Sequence, residues 1–303
     1  MATLLADFKS DLLIMAREYL EKQWGPEHID NDRVLVLYFD SLRRRPAVRK
    51  RRVWEADDFY CPPELASGWE LLRTKVVNGD DIGPHQGREH ASLSELDGLL
   101  NEWGVHHLHL GTKPYFKDNR YIDRSLPLLF ALITNDDFYA INIYAHGGWE
   151  SMSVIESLHR NWPQIINRYR IKGIQGEPLT KEERRGLRDK NILAATTLSD
   201  GTVYMAIGGG VASSGVSVEA VRRADRAWDE MERLQVFVQD GLGDFVVHLR
   251  PRGYTDGQDI RARLVGITPE GCQVLFPDFG VLAANVKIER DSLYIVSTGY
   301  AAE

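Results

Sequence analysis

Leu4, Leu5, Phe8, Leu12, Met15, Tyr19 and Leu20 recur at helical spacing, which predicts a helix at the start of the chain. Arg33 to Asp40 (RVLVLYFD) is a short, dense apolar run rich in β-formers and reads as a buried strand. Pro62-Pro63-Glu64 opens a helix carrying Leu65, Trp69 and Leu72, with proline in the first turn. Residues 78–92 are polar and glycine-rich and form a long loop, in which His85 and His90 are expected at the surface. Ser94 to Trp103 is a short helix. Leu128 to Ile133 and Phe138 to Ala145 are apolar runs separated by Thr134-Asn135-Asp136-Asp137, which predicts a hairpin. Ser151 to Ile174 reads as one amphipathic helix, and Thr180-Lys181-Glu182-Glu183 has the spacing of a capping box. A hairpin is expected over Ser199-Asp200-Gly201. A glycine loop from Gly208 to Gly215 then leads into a long helix from about Val216 to Gln239, and short strands run from Phe245 to Val296.

The middle of this pattern concentrates chemistry. Side chains alternate faces along a strand. In Val105-His106-His107-Leu108-His109-Leu110, Val105, His107 and His109 share one face, and His106, Leu108 and Leu110 the other. On the second arm of the hairpin Asn142, Tyr144 and His146 share a face, and Tyr139, Ile141 and Ile143 the opposite one. If these strands are neighbours in one sheet, His107, His109 and His146 converge, with Arg124 at the mouth of the hairpin.

Composition narrows the class. No apolar run approaches the ~20 residues needed to span a bilayer, and the acidic residues within MATLLADFKSDLLIMAREYL exclude a signal peptide. Cys61 and Cys272 lie far apart without metal-like spacing, as expected of reduced thiols in a cytoplasmic protein. The net charge of −7 argues against a protein that coats nucleic acid indiscriminately, while leaving room for local basic strips. One such run is residues 43–52 (RRRPAVRKRR), with seven basic residues in ten. It is either a solvated loop or hairpin, or a phosphate-contacting strip that includes Arg49, Lys50, Arg51 and Arg52. In the segment Lys113 to Asp123, Tyr115, Phe116, Lys117, Arg120 and Tyr121 interleave aromatics with cations, which suits stacking on unpaired bases as well as ordinary loop anchoring. The glycine loop lacks both a following Gly-Lys-Ser/Thr and a GxGxxG pattern, so a tight structural connection is the simpler reading.

Three kinds of chemistry fit His-x-His, an arginine and a third histidine. Imidazoles on a strand bind zinc, although the eightfold β/α pattern of the His-x-His hydrolases is missing. Metal-free phosphodiester cleavage uses histidine as general acid and base with a cation on the phosphate. The third possibility is that a given histidine is simply a core residue.

The order of a histidine strand, a hairpin of two apolar strands, a terminal histidine and an aromatic resembles the RelE/YafQ-type mRNA interferase toxins of the barnase–EndoU–colicin–RelE class. Ile141 to Trp149 (INIYAHGGW) is similar to that family's last strand, over a resemblance spanning residues 105–163. It implies that His146 is a general acid/base, that His109 lies near an upstream active-site histidine, that Arg124 acts on the phosphate, and that Trp149 contacts RNA. The chain is roughly three times longer than such toxins, and the basic cluster within the module is thin.

The resulting expectation is an α+β protein. It comprises an N-terminal α/β extension (1–92), a RelE-like antiparallel sheet module (93–175), and a C-terminal hairpin, long helix and β-rich module (176–303). The expected function is a metal-independent endoribonuclease of toxin or phage-defence type that requires no cofactor. Its partners would be RNA (mRNA or tRNA) and an antitoxin protein, without a membrane. The alternatives are a non-catalytic RNA- or protein-binding module and a zinc-dependent hydrolase.

Overall fold

The computed structural model describes residues 3–25, 29–87, 93, 97–145, 151–188, 190, 192, 194–268, 271–289, 292–294 and 297–300. In chain order the first elements are β1 (Leu4–Leu5), α1 (Phe8–Trp24), α2 (Asn31–Arg44), β2 (Arg52–Glu55), α3 (Ala66–Asn78) and α4 (Gly98–Trp103). There follow β3 (Val105–Leu108), β4 (Pro114–Tyr115), β5 (Asp118–Ile122), β6 (Leu128–Ile133), β7 (Asp137–Tyr144), α5 (Ser153–Asn161), α6 (Pro163–Ile166) and β8 (Arg170–Ile171). Then come α7 (Lys181–Arg188), β9 (Thr196–Thr197), β10 (Val203–Tyr204), α8 (Val218–Asp240) and α9 (Leu242–Leu249). The last strands are β11 (Ile260–Arg261), β12 (Arg263–Thr268), β13 (Gly271–Phe276), β14 (Val281–Glu289), β15 (Ser292–Tyr294) and β16 (Ser297–Tyr300). The protein is α+β, with small, mostly antiparallel sheets. Among the described residues no helix is long and apolar enough to cross a membrane. Contacts gather the chain into two units, residues 39–221 and residues 1–38 with 222–303.

The 39–221 unit is built on a four-stranded sheet in the order β2-β7-β6-β3. The hairpin β6–β7 turns where its polar residues dictate: Thr134 and Asp137 exchange hydrogen bonds across Asn135-Asp136. One face of the sheet packs Leu108, Leu129, Ala131, Phe138 and Ala140 against Trp69, Leu72 and Val76 of α3. The other packs Val105, Phe130, Tyr139 and Ile141 against Val154, Ile155 and Leu158 of α5 and Trp103 of α4. Burying each Leu, Ile, Val or Phe side chain here contributes about 1.5–3 kcal/mol. A bulge shifts the register between Phe130↔Asn142 and Ala131↔Ala140. Downstream of it the faces exchange. Ile143 therefore joins the α3 face and Tyr144 the α5 face, which corrects the grouping of Ile143 with Tyr139 and Ile141.

Four further expectations are corrected. Residues 33–40 are helical within α2, not a strand. Val34, Leu35, Ser41 and Arg44 are buried at helical spacing, and this periodic burial outweighs the β-propensity of the run. The segment after Ser151 is not one helix. It breaks at Trp162-Pro163, because proline lacks the N–H that would continue it. The region from Phe245 begins with α9 before its strands. The run 43–52 is not a solvated strip as a whole: the Arg44 and Arg51 side chains are buried, Arg44 pairs with Asp40 at 3.0 Å, and Arg51 donates to the Thr134 carbonyl at 2.7 Å.

The glycine loop before α8 is a structural clasp. Arg43 sends one guanidinium nitrogen to the Gly208 carbonyl at 2.7 Å and another to Asn101 Oδ1 at 3.0 Å, and also bonds Ser217. A Cβ on Gly208 would lie 1.9 Å from the Leu100 carbonyl oxygen, so only glycine lets the loop approach α4. The capping box at Thr180 forms as its spacing predicts, with Thr180 N–H donating to Glu183 at 2.8 Å and Glu183 N–H to the Thr180 hydroxyl at 3.2 Å.

In the other unit β1 pairs parallel with β11, bringing Leu4 opposite Ile260. Buried Asp11 of α1 accepts two bonds from Arg263, at 3.0 and 2.9 Å, and one from the Leu264 N–H at 2.8 Å. Strands β12, β13 and β14 form an antiparallel meander that β15 and β16 extend from β14. Its core includes Phe245 and Phe276, with ring centroids 5.1 Å apart.

Candidate functional site

Strand β3 pairs with β6 from Val105↔Leu132 to Leu108↔Leu129 and stops there. His109 is the first residue beyond the ladder. Its N–H donates to the His85 carbonyl at 2.7 Å, and its carbonyl accepts from His85 Nδ1 at 2.9 Å. The His109 ring, in a residue only 8% exposed, places Nδ1 3.1 Å from the Ser125 carbonyl oxygen. A carbonyl only accepts, so in neutral His109 the proton sits on Nδ1 and Nε2 is the basic nitrogen. The Ser125 hydroxyl bonds the Leu110 N–H at 2.6 Å, so residues 109–110 run against residue 125, and Arg124 is the exposed cation immediately before it. Thus His109 and the Arg124–Ser125 segment are brought together. His107 is half-buried two residues earlier, opposite Phe130. His146, Trp149 and His90 lie outside the described residues. The last residue of β7, Tyr144, pairs with Leu128, so β7 ends at the same end of the sheet as β3.

His85 is fully buried, not the surface residue expected of a polar loop. Burial pushes its pKa down to about 4, against a smaller opposing effect of its bond to the His109 carbonyl. Its Nδ1 faces a carbonyl and therefore carries the proton. Nε2 is then an unprotonated lone pair, and it is buried without a hydrogen-bond partner among the described residues.

The aromatic–basic segment forms the short hairpin β4–β5. Phe116 at its tip is 81% exposed, with Tyr115 5.0 Å away and Lys117 5.5 Å above its ring. Arg120 is held bidentate by Asp118 at 3.0 and 2.8 Å, and Tyr121 is buried. In the upstream run Arg49 pairs with Asp136 at 2.9 Å and Arg52 with Asp137 at 2.8 Å, while Lys50 is exposed. Among the described residues, the cations expected to touch RNA that are presented outward without a carboxylate counterion are therefore Lys50, Lys117 and Arg124.

A second group escaped sequence reasoning. The Tyr204 hydroxyl and His159 Nδ1 share a hydrogen bond at 2.7 Å, and His159 Nε2 faces Asp200 at 3.3 Å. The Asp200 carboxyl is held below its usual range, first by the Thr202 N–H and also by the Thr202 hydroxyl and His159, against some desolvation. Burial pushes the Tyr204 phenol up. The only sequence signal was the Asp200-Gly201 turn, because His159 sits 45 residues from Tyr204 on a separate helix. Tyr204 is buried and fastens β10 to α5, which is a structural role. Among the described residues no group of three or more His, Cys, Asp or Glu side chains is arranged to hold a metal ion.

Comparison of the chain with known protein families, with characterised proteins and with solved structures finds no match in any of the three.

Proposed function

We propose that the 39–221 unit carries a RelE-like RNase module and that the protein cleaves RNA without a metal. The observation that carries this reading is the pose of His109: a ring oriented by the Ser125 carbonyl so that Nε2 is basic, with the exposed Arg124 next to Ser125 in the chain. In the proposed reaction His109 Nε2 takes the proton of a ribose 2′-OH, with His107 on the same strand as the alternative base. The freed oxygen attacks the adjacent phosphorus. Arg124 stabilises the charge that develops on the phosphoryl oxygens. His146 gives a proton to the departing 5′ oxygen, leaving a 2′,3′-cyclic phosphate and a 5′-hydroxyl.

The β4–β5 hairpin supports single-stranded RNA as the substrate class, since Phe116 offers an exposed aromatic ring with Lys117 over it. An antitoxin protein that blocks this surface would complete a toxin pair. The exposed Phe116 also favours a second reading, in which the module holds RNA without cutting it.

The test is incubation of purified protein with single-stranded and structured RNA in the presence of EDTA, with end-group analysis of the products. Cyclic phosphate ends that disappear in His109→Ala and His146→Ala support cleavage. Retained binding with no cleavage in the wild type selects the second reading, and cleavage restored only by added zinc selects a metal hydrolase.

A further inference from the structure

Where β3 leaves its ladder with β6, the N–H and C=O of the next residue need new partners. Both are supplied by one residue. The His85 carbonyl takes the His109 N–H at 2.7 Å, and His85 Nδ1 donates to the His109 carbonyl at 2.9 Å. This is the two-bond exchange of an antiparallel pair, with a side chain standing in for one backbone donor. It grips the His109 peptide from both sides at the point where the ring must meet the Ser125 carbonyl.

We infer that His85 is a positioning residue for His109: its Nδ1–H fixes the backbone of the general base and, through it, the ring pose that keeps the proton on Nδ1 and the basic lone pair on Nε2. This rests on the reading of His109 as the base. Three observations carry it. His85 is fully buried, so the grip is shielded from competing water. It is neutral at pH 7, because burial holds its pKa near 4, and so it adds no positive charge beside His109. Its Nε2 is buried with no hydrogen-bond partner among the described residues, so it is Nδ1 that ties the ring to the His109 carbonyl.

Two substitutions in the full chain separate positioning from filling of space. In His85→Asn the amide nitrogen lies about where Nδ1 does. In His85→Gln it lies about where Nε2 does, too far out to serve the His109 carbonyl in the same way. Proton–nitrogen correlation spectra report which His109 nitrogen is protonated, and RNA cleavage gives kcat and KM. We expect the Asn variant to keep the Nδ1–H form of His109 and a kcat within about threefold of wild type. The Gln variant should lose roughly ten- to a hundredfold in kcat, the usual scale for an orienting partner, with KM nearly unchanged and the His109 proton redistributed between its nitrogens. Equal loss in both variants with an unaltered His109 spectrum overturns the inference, as does full activity in Gln. Should the Gln variant fail to fold, the Asn spectrum decides alone: retention of the Nδ1–H form supports positioning, and its loss overturns it. A wild type that does not cleave RNA, or a His109→Ala protein that cleaves as well as wild type, sinks the RNase reading instead. In that case the His109 spectra still decide what His85 does.

Discussion

Arg43 reaches across the fold to Gly208, its guanidinium 2.7 Å from the glycine carbonyl, while its other nitrogen bonds Asn101. The side chain is 8% exposed, so removing it takes the guanidinium donor from the buried Gly208 carbonyl and Asn101 Oδ1. Arg43→Ala is expected to lower unfolding stability by about 3 kcal/mol in a denaturant titration. Arg43→Lys should recover less than half of that loss, because one ammonium cannot span the two acceptors. A lysine variant as stable as wild type would show that charge, not the fork, closes the glycine loop.

For the proposed chemistry, activity and stability are separable at Arg124. It is exposed, so Arg124→Ala should move stability by no more than about 0.5 kcal/mol. Its loss should slow RNA cleavage on the order of a hundredfold or more, as expected for a group aimed at developing charge. His109→Ala should slow cleavage by roughly a hundred- to ten-thousandfold. It should also melt earlier, since the ring is buried. Single-turnover rates alongside melting curves check both.

His85 makes stability depend on pH. Its pKa is about 4 in the folded protein against an ordinary value near 6.5, so the unfolded chain binds the extra proton first. Stability is therefore full above about pH 6.5, falls as the pH drops towards about 4, and levels off below. The loss from this group is about 3 kcal/mol. His85→Asn, which does not titrate, should flatten that part of the curve. An unchanged profile would place the acid sensitivity elsewhere.

RNA affinity should respond to two sets of cations differently. Arg49 and Arg52 already face Asp136 and Asp137, whereas Lys117 and Arg124 have no carboxylate opposite them among the described residues. Lys117→Gln with Arg124→Gln is expected to flatten the slope of log affinity against log salt by about 1.4, at ~0.7 per phosphate contact on a single strand. Arg49→Gln with Arg52→Gln should leave it close to wild type. The reverse result would restore residues 49–52 as the phosphate strip.

Burial pushes the Cys272 thiol up to about 11, and nearby Glu230 adds to the shift. The Cys61 thiol is also raised, by burial and then by Glu55, Glu64 and Glu70. Little thiolate exists at pH 8. Iodoacetamide should therefore label the folded protein slowly at both positions and rapidly once urea unfolds it. Fast modification of either thiol in the native state would contradict these surroundings.

The hairpin β6–β7 was legible in the sequence because two apolar runs flank four polar residues, and no distant partner is needed to place that turn. Strand β3 was legible over Val105 to Leu108, although the alternation reads on to Leu110. Residues 33–40 were not, since six apolar residues in eight satisfy strand and helix alike until the buried side is known. The bulge at Ile141 carries no glycine or proline to announce it, and it alone moves Ile143 to the other face. His109, His107 and Arg124 could be named from pattern. The partners that orient His109 could not, because His85 sits in a polar stretch that reads as surface, and Ser125 becomes a partner only through its carbonyl.

The pairing of Leu4 with Ile260 has a consequence for synthesis. Helix α1 reaches its partners Arg263 and Leu264 only after more than 250 further residues have been made. At roughly 5–20 residues per second, the start of the chain waits on the order of ten to fifty seconds with its apolar stripe uncovered. By contrast, the sheet β2-β7-β6-β3 has all its strands once residue 144 has been made. During that interval α1 is the segment a holding chaperone would grasp.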